Sequence, residues 1–198
     1  ARGGNRRDIA ILYRSNAQSR VFEEAFLSAR IPYKVYGGLR FFERAEIKDA
    51  LAYLRLVSNR NDDTSFERVV NLPTRGIGAK SIDTLRERAR TDGSSLWSAA
   101  QRCIAEGSVG AKGAASLHGF LQLIDRLATD TRELALHEIV DQVINSSGLL
   151  EHHRKEKAER GEARADNLLE LVSAARGFEP EGVEGEQLPP LESFLAHA

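Results

Sequence analysis

Beyond residue 40 the apolar positions of this chain recur every three or four residues, the spacing that gathers side chains on one face of a helix. Ile47, Ala50, Leu51, Leu54 and Val57 predict one amphipathic helix, broken by the polar run at 59–63. Thr64 followed by Glu67 has the form of a capping box and opens a second helix carrying Phe66, Val69 and Val70. Pro73 has no amide hydrogen and pushes Leu72 toward extended dihedrals, so that helix stops before it. Ile82, Leu85 and Ala89 predict a helix over 81–90, and Leu96, Trp97, Ala100 and Ile104 predict the next, with Trp97 in the core. Leu117, Phe120, Leu121, Ile124 and Leu127 make one further stripe; Leu134, Ile139, Val140, Val143 and Ile144 make another, closed by Gly148 as a C-terminal cap. Residues 151–161 are dense in charge, 166–176 return to helix through Leu168, Leu169, Leu171 and Val172, and 191–195 begin one more. Between them, residues 179–186 have the composition of a mobile acidic loop.

The first 40 residues read differently. Residues 8–13 are a continuous apolar run, as expected of a strand covered on both faces in a parallel sheet. A polar loop over 14–20 leads into a helix whose Val21, Phe22, Ala25 and Phe26 share a face, and residues 31–36 predict a second strand before Gly37-Gly38, a hinge or sharp turn. Strand, polar loop and helix open an α/β unit, and ligands of such sheets bind beyond the carboxyl ends of the strands, where this loop lies. Arg14, Asn16, Gln18 and Arg20 suit phosphate or base-edge contacts, while a helix cap accounts for Ser15 or Asn16 alone. The residues before this strand carry no packing pattern, and the sequence reads as a piece cut from a longer one.

One stretch is hard to explain by packing. After Pro73 the chain runs Thr74-Arg75-Gly76-Ile77-Gly78-Ala79-Lys80 into the helix of Ile82 and Leu85. Two glycines able to adopt positive φ flank an isoleucine large enough to plug a core. The free amides of the following helix would face outward near Gly78, Ala79 and Lys80, with Arg75 and Lys80 adding full charges, which makes an anion site suited to a phosphate of a duplex backbone. A helix-helix corner with no ligand is the other reading of the same glycines. Val109-Gly110-Ala111-Lys112 nearly repeats Ile77-Gly78-Ala79-Lys80, with Leu117 in register with Leu85, either as a second hairpin of a pair or by coincidence. The spacing at 107–113 is not that of a nucleotide-binding P-loop, since the lysine is misplaced and glycine follows it.

Charge supports the loop. Residues 1–90 hold 18 Lys+Arg against 11 Asp+Glu, net +7, and residues 91–198 hold 10 against 18, net −8. The single cysteine, Cys103, excludes an internal disulfide framework and fits a reducing, cytoplasmic compartment, where its simplest role is a small buried hydrophobe. No apolar run approaches the roughly 20 residues of a membrane span. The histidines follow no HExxH pattern and no nucleophile elbow is present, so neither a metal site nor catalysis by this chain alone is expected.

Three blocks, residues 13–24, 37–49 and 71–78, together and in this order resemble the UvrD/PcrA/Rep family of bacterial DNA helicases, and the likeness runs from about residue 8 to the end. The resemblance implies a mainly α fold: residues 1–36 as a fragment of the RecA-like motor domain 2A, and residues 37–198 as most of the helical 2B subdomain, with a helix-hairpin-helix-like Gly-Ile-Gly loop and a truncated C-terminal end. Family members translocate 3′ to 5′ on single-stranded DNA with ATP and magnesium in nucleotide excision and mismatch repair. By resemblance Arg14 and Asn16 would touch the single strand, with Gln18 or Arg20 supporting them. Thr74, Arg75, Gly76, Ile77, Gly78, Ala79 and Lys80 would grip duplex phosphates ahead of the fork. The Walker lysine and the residues that hold magnesium and ATP have no counterparts here, so this fragment would bind no cofactor. Its partners would be a single-strand/duplex junction, other subdomains of the helicase, and repair proteins, with no membrane. A second reading makes it a regulatory docking or autoinhibitory module. Either way, a lone strand and helix over 8–30 lack the sheet they would pack on.

Overall fold

The computed structural model describes residues 9–35, 39–156, 159–179 and 188–198, with the side chains of Asn16 and Glu159 left aside. Ten helices are described: α1 Ser19–Ser28, α2 Ala45–Ser58, α3 Asp63–Val69, α4 Ala79–Asp92, α5 Leu96–Glu106, α6 Ala111–Asp130, α7 Leu136–Ser146, α8 Leu149–Arg154, α9 Glu159–Arg176 and α10 Pro190–His197. Single turns of tighter helix sit at Asn16–Gln18 and Phe41–Glu43. The fold is mainly α, and no strand forms among the described residues.

α2 is the axis. It packs against α3, α6, α7, α9 and α10, and its Ile47, Ala50, Leu51, Leu54 and Leu56 are fully or almost fully buried. The predicted helix is there, but it is enclosed on most sides rather than amphipathic, since Glu46, Asp49 and Tyr53 on its other faces are buried too. Phe66 on α3 meets the rings of Trp97 and Phe120 edge-on, at 6.4 and 5.5 Å between centroids. That arrangement is favoured by the opposed charge of ring edge and face. Within 151–161, read as a charged segment, residues 151–154 form the end of α8 and residues 159–161 the start of α9, while 157 and 158 lie outside the described residues.

Two local expectations are corrected. Thr64 does not cap α3: Asp62 does, its carboxylate accepting from the Ser65 amide at 3.0 Å and from the Ser65 hydroxyl at 2.6 Å. A carboxylate at that position also meets the positive end of the helix dipole, which an uncharged threonine two residues further on could not. Leu134 lies in the turn before α7, not on it, while Gly148 does take the left-handed conformation expected after a helix end, at φ +80.

The larger correction concerns the first 40 residues. Residues 9–13 and 31–35 take no regular structure, and the remaining position of the second predicted strand, Tyr36, lies outside the described residues, as do the proposed hinge Gly37-Gly38, the opening residues 1–8 and the acidic stretch 180–187. Strands need neighbours to satisfy their amides, and none is present among the described residues. In consequence Ile9 and Leu12 are 68% and 94% exposed, and α1 turns its Val21, Phe22 and Leu27 outward while burying Ser19 and Glu23. What holds α1 to the bundle is therefore polar. Arg44 donates to Ser19 Oγ at 2.6 Å and to Asn167 Oδ1 at 2.8 Å, Asn167 donates to Glu46 at 2.6 Å, and Arg20 reaches Glu170 on α9 at 2.6 Å.

Candidate nucleic-acid interface

The loop between α3 and α4 is shaped by one side chain. The Asn71 carboxamide oxygen accepts the amide of Arg75 at 2.8 Å and that of Ile77 at 3.2 Å, which folds the backbone into a hook. Gly76 stands at the bend with φ +80, a conformation that an L side chain takes only under strain. Ile77 is 2% exposed and plugs the core as its size predicts. Gly78 departs from expectation. Its φ is −83 with ψ 166, ordinary extended backbone, and it serves as the N-terminal cap residue of α4.

The amides at the start of α4 divide into two groups. Ile77 N–H is spent on Asn71, and Ser81 N–H donates to the Gly78 carbonyl at 3.0 Å. The amides of Gly78, Ala79 and Lys80 have no acceptor among the described residues, and all three residues are exposed. Three successive unpaired donors at the positive end of a 14-residue helix make a place for an anion. Lys80 stands beside them, exposed and without an ion-pair partner among the described residues.

Arg75 is not the second guard that the sequence suggested. Its guanidinium turns inward, donating to the carbonyls of Val69 at 3.3 Å, Pro73 at 3.0 Å and Ser147 at 3.0 Å. It lies over the rings of Tyr53 and Phe120, at 5.7 and 5.5 Å from their centroids. Five fixed donors in a plane suit several carbonyls at once, which is why the residue is consumed by the fold. Tyr53 completes the seat: its hydroxyl donates to the Leu72 carbonyl, and burial pushes its pKa up to about 12.

The near-repeat is structural. Ile77 and Val109 are both buried, Gly78 and Gly110 both cap a helix with extended backbone, and Leu85 and Leu117 are both fully buried. The two helix starts also lie against each other. A methyl group built on Gly76 would sit 3.7 Å from Lys112 Cε, and one on Gly113 would sit 3.0 Å from Ser81 Oγ. Lys112, exposed and with no ion-pair partner among the described residues, thus replaces Arg75 as the second cation near the loop. The sequence signalled the repeat, in the shared register of the two copies, but not that the copies touch.

α4 is aimed by an ion pair from the preceding helix. Arg86 donates to both carboxylate oxygens of Glu67, at 2.6 and 2.9 Å, and these bonds hold the Glu67 carboxyl below the usual range. A depressed folded-state pKa contributes stability that is present above the unfolded glutamate value of about 4.3 and is lost as pH falls through the folded value. Glu67→Gln should therefore be slightly less stable than the native chain at neutral pH, with the difference shrinking as pH falls below the unfolded glutamate value, measured by urea midpoints as a function of pH. The effect is small because both side chains are largely solvated.

Sequence analysis missed a second basic cluster. Lys48 and Arg55 on α2 and Arg68 on α3 line a pocket of about 180 Å³ together with Thr64 and Ser65. Arg68 is paired with Asp49 at 2.7 Å, but no ion pair holds Lys48 or Arg55 among the described residues. Their seven-residue separation on one helix is the signal that could have found them.

The polar loop before α1 is placed but not assembled into a site. The Gln18 side chain accepts from the amides of Arg14 and Ser15 at 3.1 and 3.2 Å, so it supports the loop. Arg14 is exposed, whereas Arg20 is taken by Glu24 and Glu170 at 2.5 and 2.6 Å, which makes it a tie to α9. Asn16 falls in the short turn that precedes α1. Elsewhere His152, His153 and Glu156 stand close enough to share a metal ion. Arg164 already holds both Glu156 oxygens at 3.0 and 2.9 Å, and among the described residues the buried His153 Nε2 lacks the outer partner that a ligating histidine keeps.

These features define a mainly helical domain carrying paired helix starts and cations without ion-pair partners among the described residues. Residues 1–198 match the UvrD-like helicase C-terminal domain, and the chain belongs to that family. It is 52% identical to DNA helicase II of Escherichia coli (strain K12) over 196 residues, covering 99% of this chain and 27% of that protein. It is 50% identical to DNA helicase II of Haemophilus influenzae over 197 residues, and 43% identical to the ATP-dependent DNA helicase PcrA of Bacillus subtilis over 172, or 87% of this chain and 23% of that protein. The chain thus spans about a quarter of the length of the curated relatives it matches. No helix among the described residues is long and apolar enough to cross a membrane.

Proposed function

We propose that this chain is the duplex-gripping part of an ATP-dependent DNA helicase, holding double-stranded DNA while a motor outside the chain draws one strand 3′ to 5′. The observation that carries the reading is the row of unpaired amides at Gly78, Ala79 and Lys80, flanked by Lys80 and Lys112. Thr74, Gly76, Gly78, Ala79 and Lys80 form the phosphate contact in this reading, Ile77 anchors it, and Arg75 acts from beneath. Residues 37–198 constitute the 2B-type subdomain and residues 1–36 belong with motor domain 2A, where Arg14 and Asn16 meet the single strand. ATP and magnesium belong to the parent helicase, which acts in excision and mismatch repair in the cytoplasm. The outward apolar face of α1 is accounted for by the remainder of that motor domain.

Phosphate contacts release counterions, so affinity for a hairpin duplex falls with salt with a log-log slope of about 0.9 per phosphate neutralised. Lys80→Ala should reduce that slope by about one such unit, equally for unrelated DNA sequences, because backbone contacts carry no base readout. Titrations of fluorescent hairpins against the native and variant chains at several salt concentrations measure it. A salt-independent affinity would sink the reading. It would favour instead a docking or autoinhibitory module, for which the net −8 of residues 91–198 is the supporting feature.

A further inference from the structure

We propose that Asn71 and Arg75 are positioning residues of the phosphate-binding loop, and that through Arg75 the turn between α7 and α8 sets how the loop meets DNA. The inference rests on the duplex-binding reading above. Asn71 fixes the internal shape of the loop, since its single oxygen holds two amides and leaves the next three donors free. Arg75 fixes where that shape sits. Of its three carbonyl partners two lie within or just before the loop, but the third, Ser147, is 72 residues away in the α7–α8 turn. A second contact joins the same two places, for a methyl built on Gly148 would lie 3.7 Å from Pro73 Cγ. Donor geometry aimed at a phosphate is worth most when it is organised before the ligand arrives, so a brace outside the contact controls affinity without touching DNA.

A brace and a ligand respond differently to substitution. Were Arg75 a phosphate ligand, Arg75→Lys would keep a point charge there and much of the affinity, and Arg75→Ala would lower the salt slope by about 0.9. As a positioning residue it should show neither behaviour. Arg75→Lys cannot span three carbonyls, so both variants should weaken hairpin binding by about three- to tenfold while the salt slope stays that of the native chain. Asn71→Ala should act likewise, and Asn71→Asp, which keeps the acceptor oxygen, should restore most of the loss once its added charge is screened at high salt. Restored affinity in Arg75→Lys, or a slope reduced in Arg75→Ala, overturns the proposal.

Failure of the underlying reading is separately visible, because Lys80→Ala would then change neither affinity nor slope. Should the Arg75 variants not fold, amide hydrogen exchange on the native chain decides. The Ile77 amide should be protected with or without duplex, and the amides of Gly78, Ala79 and Lys80 should gain protection when duplex is added. An Ile77 amide that exchanges freely in the DNA-free chain overturns the proposal.

Discussion

Gly76→Val should weaken duplex binding by at least about tenfold, whereas Gly78→Ala should leave the fold intact and weaken binding only by the bulk it adds. At φ +80 a side chain at residue 76 costs about 1–2 kcal/mol or more, and a β-branched one fares worst. The bend cannot relax outward cheaply, because Ile77 is anchored in the core on one side and Asn71 holds the amides on both sides of Gly76. A Cβ there would itself meet only ordinary contacts, Lys112 Cε and Ser116 Oγ each at 3.7 Å, so the cost comes from the backbone conformation. At Gly78 no such cost applies: its backbone is extended and nothing lies within 4 Å of a built Cβ. Circular dichroism melts alongside hairpin titrations separate the two glycines. Equal losses at both positions would show that the bend at residue 76 is not what presents the amides.

Phe120→Ala should lower stability by about 3–5 kcal/mol, the range for emptying a buried aromatic site. Phe120 is fully buried on α6, meets Phe66 edge-on at 5.5 Å, and lies 5.5 Å beneath the Arg75 guanidinium. Its removal opens a cavity where α3 and α6 meet and takes away part of the seat of the brace, so urea unfolding should show the loss directly. Phe22→Ala on α1 is the control. That ring is 37% exposed and its removal should cost less than about 0.5 kcal/mol. A comparable loss at Phe22 would mean that the first 40 residues contribute to the core, contrary to their exposure.

The helical part was largely legible because local spacing and tertiary burial ask for the same residues there. Phe66, Leu85, Leu117, Phe120 and Ile124 are apolar at helical intervals and are buried. The near-repeat at residues 77–80 and 109–112 was legible as a pattern, but that the two copies touch was not, since no local rule brings helix starts 32 positions apart together. Within the first 40 residues the expected helix forms as α1, but the two expected strands do not form among the described residues, because strand amides must be satisfied by neighbouring strands and an apolar run cannot supply those itself.

By itself the sequence determined the helical register, the stop at Pro73, the plug at Ile77 and the placing of a glycine bend before a helix start. Each depends on dihedral preference or on side-chain spacing within about ten residues. The tertiary structure alone decided which charges are available. Arg75 and Lys80 look alike in the chain, yet one spans carbonyls of the loop and of Ser147 while the other stands in solvent. A guanidinium is drawn to whatever acceptors the fold leaves within its reach, and those acceptors come from segments that the sequence near Arg75 does not contain.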